Sequence, residues 1–376
     1  MKKILCIIFC LFIFVGCETK TGNEFEKEDF TVISIDESIP ETGILDSFID
    51  SIKYIPLETN KESMIHSITR FEVIDEKIVI FDKPGKSVLV FNSEGRFLHK
   101  IGKIGTGYDE FLDIRSIATD ESKNRIYLFD QMQSAVLEFD IAGNFIDKTY
   151  FNNIFFSYFK KSNDKIYCFM HNRPYKRNFY DLICFEQNEV EKMYFPFSKK
   201  DDNFWFLPQY PFYIFNNQLN FVDIFSGRTF VISDNPVPGY LIDFGQKQMP
   251  LKYRKHKDLF FENKNDFAYL TLEFLENEKY LQFSYHWGKD IFNCLFIKNE
   301  NKAIKIRNPY NWQERVPALF VKPSFAKDNY FISVFNNLQC VNLRKISKRL
   351  KDQQLANVVK NIDIGSNPVL IMYFLK

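Results

Sequence analysis

Histidine is scarce in this chain, with five in 376 residues. Only His66, His99, His171, His256 and His286 offer an imidazole, which limits any metal-centred chemistry to few ligands. The seven cysteines show no C-x-x-C and no Cys/His spacing of a zinc site. There is no G-x-S-x-G, so a nucleophile elbow is excluded. There is no G-K-[ST] ending to any glycine-rich stretch, so a P-loop is excluded too. The net charge is only +1, which gives no bulk attraction to nucleic acid. Beyond residue 15 no long apolar run occurs, so the remainder is expected to be soluble.

The one apolar run is itself informative. It spans residues 4–15 behind Met1-Lys2-Lys3, too short to cross a bilayer as a stable helix and suited to a signal-peptide core. It ends in Phe14-Val15-Gly16-Cys17, which resembles the bacterial lipoprotein signal. That resemblance implies removal of residues 1–16, with Cys6 and Cys10 among them, and lipidation of Cys17. Several acyl chains, at about 0.8 kcal/mol per buried methylene, would anchor the protein firmly. Residues 17–30 are polar and acidic and read as a flexible tether off the membrane. The implied location is the bacterial cell envelope, on the outer membrane. A monomer is expected.

From residue 31 onward the pattern is β. Aromatics make up 17% of the chain, including 43 Phe and 19 Tyr, and such residues favour pleated, half-buried surfaces. A repeat of 48 residues relates Ile78/Ile126, Phe81/Phe129, Asp82/Asp130, Val88/Val136, Phe91/Phe139 and Gly95/Gly143. A period of about 40–50 residues built of short strands marks a propeller blade. Blade 1 is read as 68–74, 78–81, 88–91 and 97–101; blade 2 as 114–119, 126–129, 136–139 and 145–150. Residues 166–170 and 182–185 supply two strands of a third unit, around an insert at 171–180. A fourth comprises 212–215, 219–224, 228–232 and 240–244. A fifth comprises 267–275, 279–285, 291–297 and 303–306. A sixth begins with 318–321 and 330–335. Within 343–360 the apolar spacing of Leu343, Ile346, Leu350 and Leu355 predicts one amphipathic helix inserted into blade 6. A final strand follows at 368–375. An N-terminal strand, either 54–57 or 31–35, is expected to complete blade 6 and close the ring. The fold class is therefore all-β: a six-bladed β-propeller over residues 31–376 with a short helical insertion near the C-terminus.

Gly102-Lys-Ile-Gly-Thr-Gly-Tyr-Asp-Glu-Phe111, between blades 1 and 2, resembles the connection of NHL-type propellers. With Tyr54-Ile-Pro-Leu-Glu58, Tyr240-Leu-Ile-Asp-Phe-Gly245 and Asn367-Pro-Val-Leu370, the chain resembles a family of six-bladed propeller lipoproteins from Bacteroidetes. The resemblance implies a component of a nutrient-scavenging system and says almost nothing about chemistry. The glycines also invite an anion nest, although a blade connector is the simpler reading. Asp82 and Asp130 are expected to cap turns. Cys168 and Cys184 fall on neighbouring strands, where either a disulfide or buried thiols could result.

Candidate ligand contacts are basic and aromatic. They are Arg70 and Arg115 on innermost strands, read as repeat-equivalent (TRFEVID against IRSIATD); His171, Arg173, Tyr175 and Arg177 in the blade 3 insert; His286 and Trp287 in blade 5; and Trp205, Tyr210 and Trp312 between blades. Forked guanidinium donors beside rings suit sugars, peptides or carboxylates. The expected function is non-catalytic binding of a glycan, a peptide or an envelope protein, with no cofactor. The rival is a metal-dependent hydrolase or lyase, in which calcium or zinc would sit near His171 and His286. A third reading is a purely structural role in assembly.

Overall fold

A computed structural model describes residues 26–376 except 43–47, 152–153, 172, 198–209, 225, 251, 254–255, 307–322, 346 and 351. Six antiparallel sheets of the same build follow one another. Blade 1 is Arg70–Ile74, Lys77–Asp82, Ser87–Phe91 and Phe97–Lys100. Blade 2 is Ile114–Asp120, Arg125–Asp130, Ala135–Asp140 and Phe145–Tyr150. Blade 3 is Tyr158–Ser162, Lys165–Phe169, Tyr180–Glu186 and Glu189–Pro196. Blade 4 is Phe212–Phe215, Gln218–Asp223, Arg228–Val231 and Val237–Asp243. Blade 5 is Ala268–Glu276, Tyr280–Trp287, Asp290–Ile297 and Lys302–Ile306. Blade 6 takes Pro323–Lys327, Tyr330–Phe335 and Val369–Leu375 from the C-terminal region, and Ile49–Pro56 from the N-terminal one.

Side chains alternate across each sheet, and here both faces are apolar. In blade 2, Ile126 and Leu128 pack on Val79, Phe81, Val88 and Val90 of blade 1. Tyr127 and Phe129 point the other way, onto Phe156, Phe159 and Phe185 of blade 3. Phe129 and Phe156 stack with centroids 3.7 Å apart. Comparable clusters join blades 3 and 4, 4 and 5, 5 and 6, and 6 and 1. Each buried Phe or Leu contributes about 1.5–3 kcal/mol. The ring is therefore held by six like interfaces, which is why the strands lack a polar face.

Ring closure uses the N-terminal region more fully than expected. Ile49–Pro56 is the outer strand of blade 6, paired antiparallel with Val369–Leu375 (Ile55 opposite Leu370, Ile49 opposite Leu375). Thr31–Ser34 does not close the ring. It lies parallel to the outer strand of blade 4, Thr31 opposite Tyr240 and Ser34 opposite Asp243. Glu41–Thr42 does the same on blade 5, opposite Lys305 and Ile306. The segment is thus a strap across the rims of three consecutive blades, covering edges that would otherwise present unpaired backbone. Asn367 fastens the seam. Wholly buried, it accepts from the Ile65 N–H (2.9 Å) and donates to the carbonyls of Glu58 (2.6 Å) and Ser63 (2.8 Å).

The insertion in blade 6 is two helices, not one. Asn337–Arg344 starts under an Asn336/Gln339 capping box, and Gln353–Lys360 starts under Asp352, whose carboxylate accepts the Leu355 N–H at 3.0 Å. The Asp352 cap begins a second helix in the middle of the predicted one. Cys340, Leu343, Leu355 and Val359 bury against the core of blades 5 and 6. A further helix, Lys257–Asn263, lies in the link between blades 4 and 5, where none was expected. The blade 6 first strand lies at Pro323–Lys327; the predicted 318–321 falls outside the described residues.

Candidate functional site

The innermost strands of all blades run in the same direction, so their first residues gather at one end of the hub. The loops between second and third strands open at that same end. Two of these carry the repeat aspartates. Asp82 is wholly buried and accepts from the N–H groups of His66 (2.8 Å), Ser67 (3.1 Å) and Gly85 (3.1 Å). Asp130, 48 residues on, accepts from the N–H groups of Leu112 (2.6 Å) and Met132 (2.9 Å). Each carboxylate ties a hairpin to the strand arriving from the preceding blade, so both cap turns as expected.

The hub itself is ionic. Glu72 of blade 1 meets Lys160 of blade 3 at 3.4 Å. These blades are not neighbours, so the contact reaches past blade 2 inside the hub. Register makes Glu72, Ala118 and Lys160 equivalent: each stands two residues beyond the partner of Phe81, Phe129 or Phe169. At the equivalent position blade 2 has only the methyl of Ala118. Arg70 binds the same carboxylate at 2.7 Å, and Thr119 donates to it at 3.4 Å. Burial pushes the Glu72 carboxyl up, but Arg70 and Lys160 outweigh it and hold it below the ordinary carboxylate range. The Arg70 guanidinium lies 3.4 Å above the ring of Tyr210, which leads into blade 4. Lys327 of blade 6 pairs with Glu121 of blade 2 at the opposite end.

Arg70 and Arg115 are both on innermost strands, but they are not equivalent. Ile114 pairs with Asp130 and Ser116 with Phe129, which leaves Arg115 opposite no residue, at a β-bulge. The register partner of Phe129 is Ser116, so Ser116 is the counterpart of Arg70. The two-residue turn at Asp75–Glu76 becomes four residues at 121–124, which shifts the first strand so that Ser116, not Arg115, takes the place of Arg70. Arg173 stacks on Phe155 at 3.4 Å. Its proton affinity is pushed down to about 10, first by burial and then by the positive charge of Arg115.

The other candidates divide. His171 is buried, has a left-handed backbone (φ 52°), stacks on Phe169 and lies 3.3 Å from the Ser157 hydroxyl through Nδ1. Tyr175 is buried against Phe185 and belongs to the core. Arg177 is exposed on a left-handed turn with Lys176. In blade 5, His286 stacks on Tyr269, and burial lowers its proton affinity. Trp287 meets Phe244 edge-on. The two histidines are thus each held inside their own blade. Among the described residues no group of three or more His, Cys, Asp or Glu side chains is placed to hold a metal ion. Cys17, Trp205 and Trp312 lie outside the described residues. Phe155 and Lys160 were not among the predicted contacts and carried no sequence signal, whereas Tyr210 was among the aromatics expected between blades.

The glycine-rich connector does not offer a vacant anion nest. The Glu110 carboxylate fills it, accepting the Gly107 N–H at 2.8 Å and pairing with Lys103 at 3.2 Å. A Cβ at Gly105 would stand 1.9 Å from that carboxylate, so a larger residue there would push the Glu110 side chain aside. Cys168 and Cys184 do not form a disulfide. They face opposite sides of blade 3, one toward blade 2 and the other toward blade 4, and both are buried thiols. No described helix is long and apolar enough to cross a membrane.

Two solved structures share the architecture. A Bacteroides fragilis NCTC 9343 protein named as exported aligns over 92% of this chain and 100% of its own, with a TM-score of 0.75 at 15% identity. A member of the DUF4221 family from Bacteroides vulgatus ATCC 8482 aligns over 87% and 97%, with a TM-score of 0.54 at 11% identity. Virginiamycin B lyase from Staphylococcus aureus is more distant, at a TM-score of 0.42 and 10% identity over 86% and 99%. No curated protein matches the sequence significantly. Residues 30–374, which hold the seam, the hub and all but the last residue of the strands, match the DUF4934 domain of unknown function, and the chain belongs to that family.

Proposed function

We propose that this protein is a lipid-anchored β-propeller of the bacterial cell envelope that works by binding, with its ligand held at the end of the hub where the strand 2–3 loops open. The ligand class is a glycan, a peptide or a neighbouring envelope protein. One observation carries the reading: two guanidinium groups from different blades lie flat on aromatic rings at that end, Arg70 on Tyr210 and Arg173 on Phe155. Such pairs bring cationic groups and aromatic surface to one mouth, the combination that sugars and peptide groups need, although Arg70 also holds Glu72. A rigid ring supporting variable loops is the usual division between scaffold and site. Export is supported by the name of the Bacteroides fragilis neighbour, and the anchor by Gly16-Cys17 behind the apolar run.

Two experiments test this. Cys17→Ala should move the protein from membranes to the soluble fraction; unchanged detergent partitioning would refute the anchor. A thermal-shift screen of glycans and peptides should yield a stabilising ligand whose effect is lost in Tyr210→Ala. A ligand indifferent to Tyr210 would place the site elsewhere.

A further inference from the structure

At the same end of the hub, positive charge accumulates from three consecutive blades. Lys83 follows the second strand of blade 1, Arg115 stands on the first strand of blade 2, and Arg173 follows the second strand of blade 3. Several acids at this end are committed, and Asp181, at the start of the third strand of blade 3, is buried. Glu72 is held by Arg70 and Lys160, and Asp82 and Asp130 are buried under backbone amides. Asp113 lies near Lys83. Arg115 is half-buried and makes no ion pair among the described residues. It is also the bulged residue, and a bulge re-aims the side chain it carries out of the regular ladder. Beside it, the Phe155 ring fixes the plane of the Arg173 guanidinium.

We propose that the mouth takes its ligand through a carboxylate, gripped between Arg115 and Arg173 with Lys83 alongside. This rests on the binding reading above and names the chemistry that site selects. A carboxylate matches the guanidinium fork and accepts two parallel N–H bonds from it. It would also relieve a repulsion now present within the protein. Arg115 makes protonation harder at both Lys83 and Arg173, acting in each case second to burial. A neutral sugar could not do this. An acidic sugar and an acidic peptide carry the same group, and the experiment separates them.

The full-length chain in detergent is titrated calorimetrically with trigalacturonate, with an acidic tripeptide and with neutral maltotriose. One of the two acidic probes should bind, with affinity falling as salt rises, and maltotriose should bind weakly or not at all. Arg115→Gln and Arg173→Gln should each weaken the acidic probe about tenfold or more. Arg115→Gln should not destabilise the ligand-free fold, because the native side chain makes no ion pair among the described residues and sits beside two other cations. Arg115→Lys should recover only part of the affinity, since it restores charge without the fork. Tight binding of maltotriose that Arg115→Gln leaves untouched would sink the carboxylate assignment while the binding reading survives. Binding of none of the three probes would count against both.

Discussion

Glu72 and Lys160 meet in the hub of the ring from blades that share no interface, 3.4 Å apart and both buried. Removing one partner of a buried ion pair strands the other charge, at a cost of about 3–5 kcal/mol. The two positions are not symmetric. Without Glu72, both Lys160 and Arg70 lose their carboxylate. Without Lys160, Glu72 keeps Arg70 at 2.7 Å. Glu72→Gln should therefore destabilise the fold by the full amount in chemical denaturation, and Lys160→Met by distinctly less. Equal losses would show that Arg70 does not hold the carboxylate.

The same carboxyl sets an acid limit. It is held below 4.5 in the folded ring, so near that pH the unfolded chain binds more protons. Its contribution is complete above pH 4.5 and is lost as pH falls through the lower folded value. Denaturation midpoints should drop more steeply below pH 4.5 in the native chain than in Glu72→Gln. Parallel acid profiles would assign the limit to other groups.

Asn367 is expected to be the most sensitive polar residue of the seam. It supplies three side-chain hydrogen bonds, all to backbone groups of residues 58–65. Asn367→Ala should cost about 3 kcal/mol, the order expected when buried backbone groups lose their partners. Because these bonds join the two ends of the chain, the loss should also speed amide exchange in Ile49–Pro56. Protection there equal to the native chain would place the closure elsewhere.

Reductant should leave the melting temperature unchanged. Cys168, Cys184, Cys294 and Cys340 are buried thiols, and burial raises each of them, Cys184, Cys294 and Cys340 to about 12. High thiol pKa and burial both suppress thiolate reactivity. Alkylation at these four positions should require denaturant, and rapid labelling in native buffer would contradict the packing.

Much of the architecture was legible because it is local. The 48-residue spacing placed the strands of blades 1 and 2, and the runs without a polar face announced sheets covered on both sides. The sites were less legible. His171 and Tyr175 read as loop residues and proved to be buried, because the blade 3 insert folds back onto Phe169 and Phe185. Arg70 and Arg115 aligned as letters, yet a longer turn moved them out of register. The Asp352 cap that divides the insertion was visible in the sequence, but the apolar spacing around it suggested continuity.

From its amino acids alone, this chain is committed to short twisted strands, apolar on both faces and punctuated by turns, because those preferences act over a few residues. Which strand completes blade 6, which rims the strap covers, and that an acid of one blade reaches a lysine two blades away were settled only by the closed ring. Such contacts join residues tens to hundreds of positions apart, and no local preference records where a closing ring will bring them together.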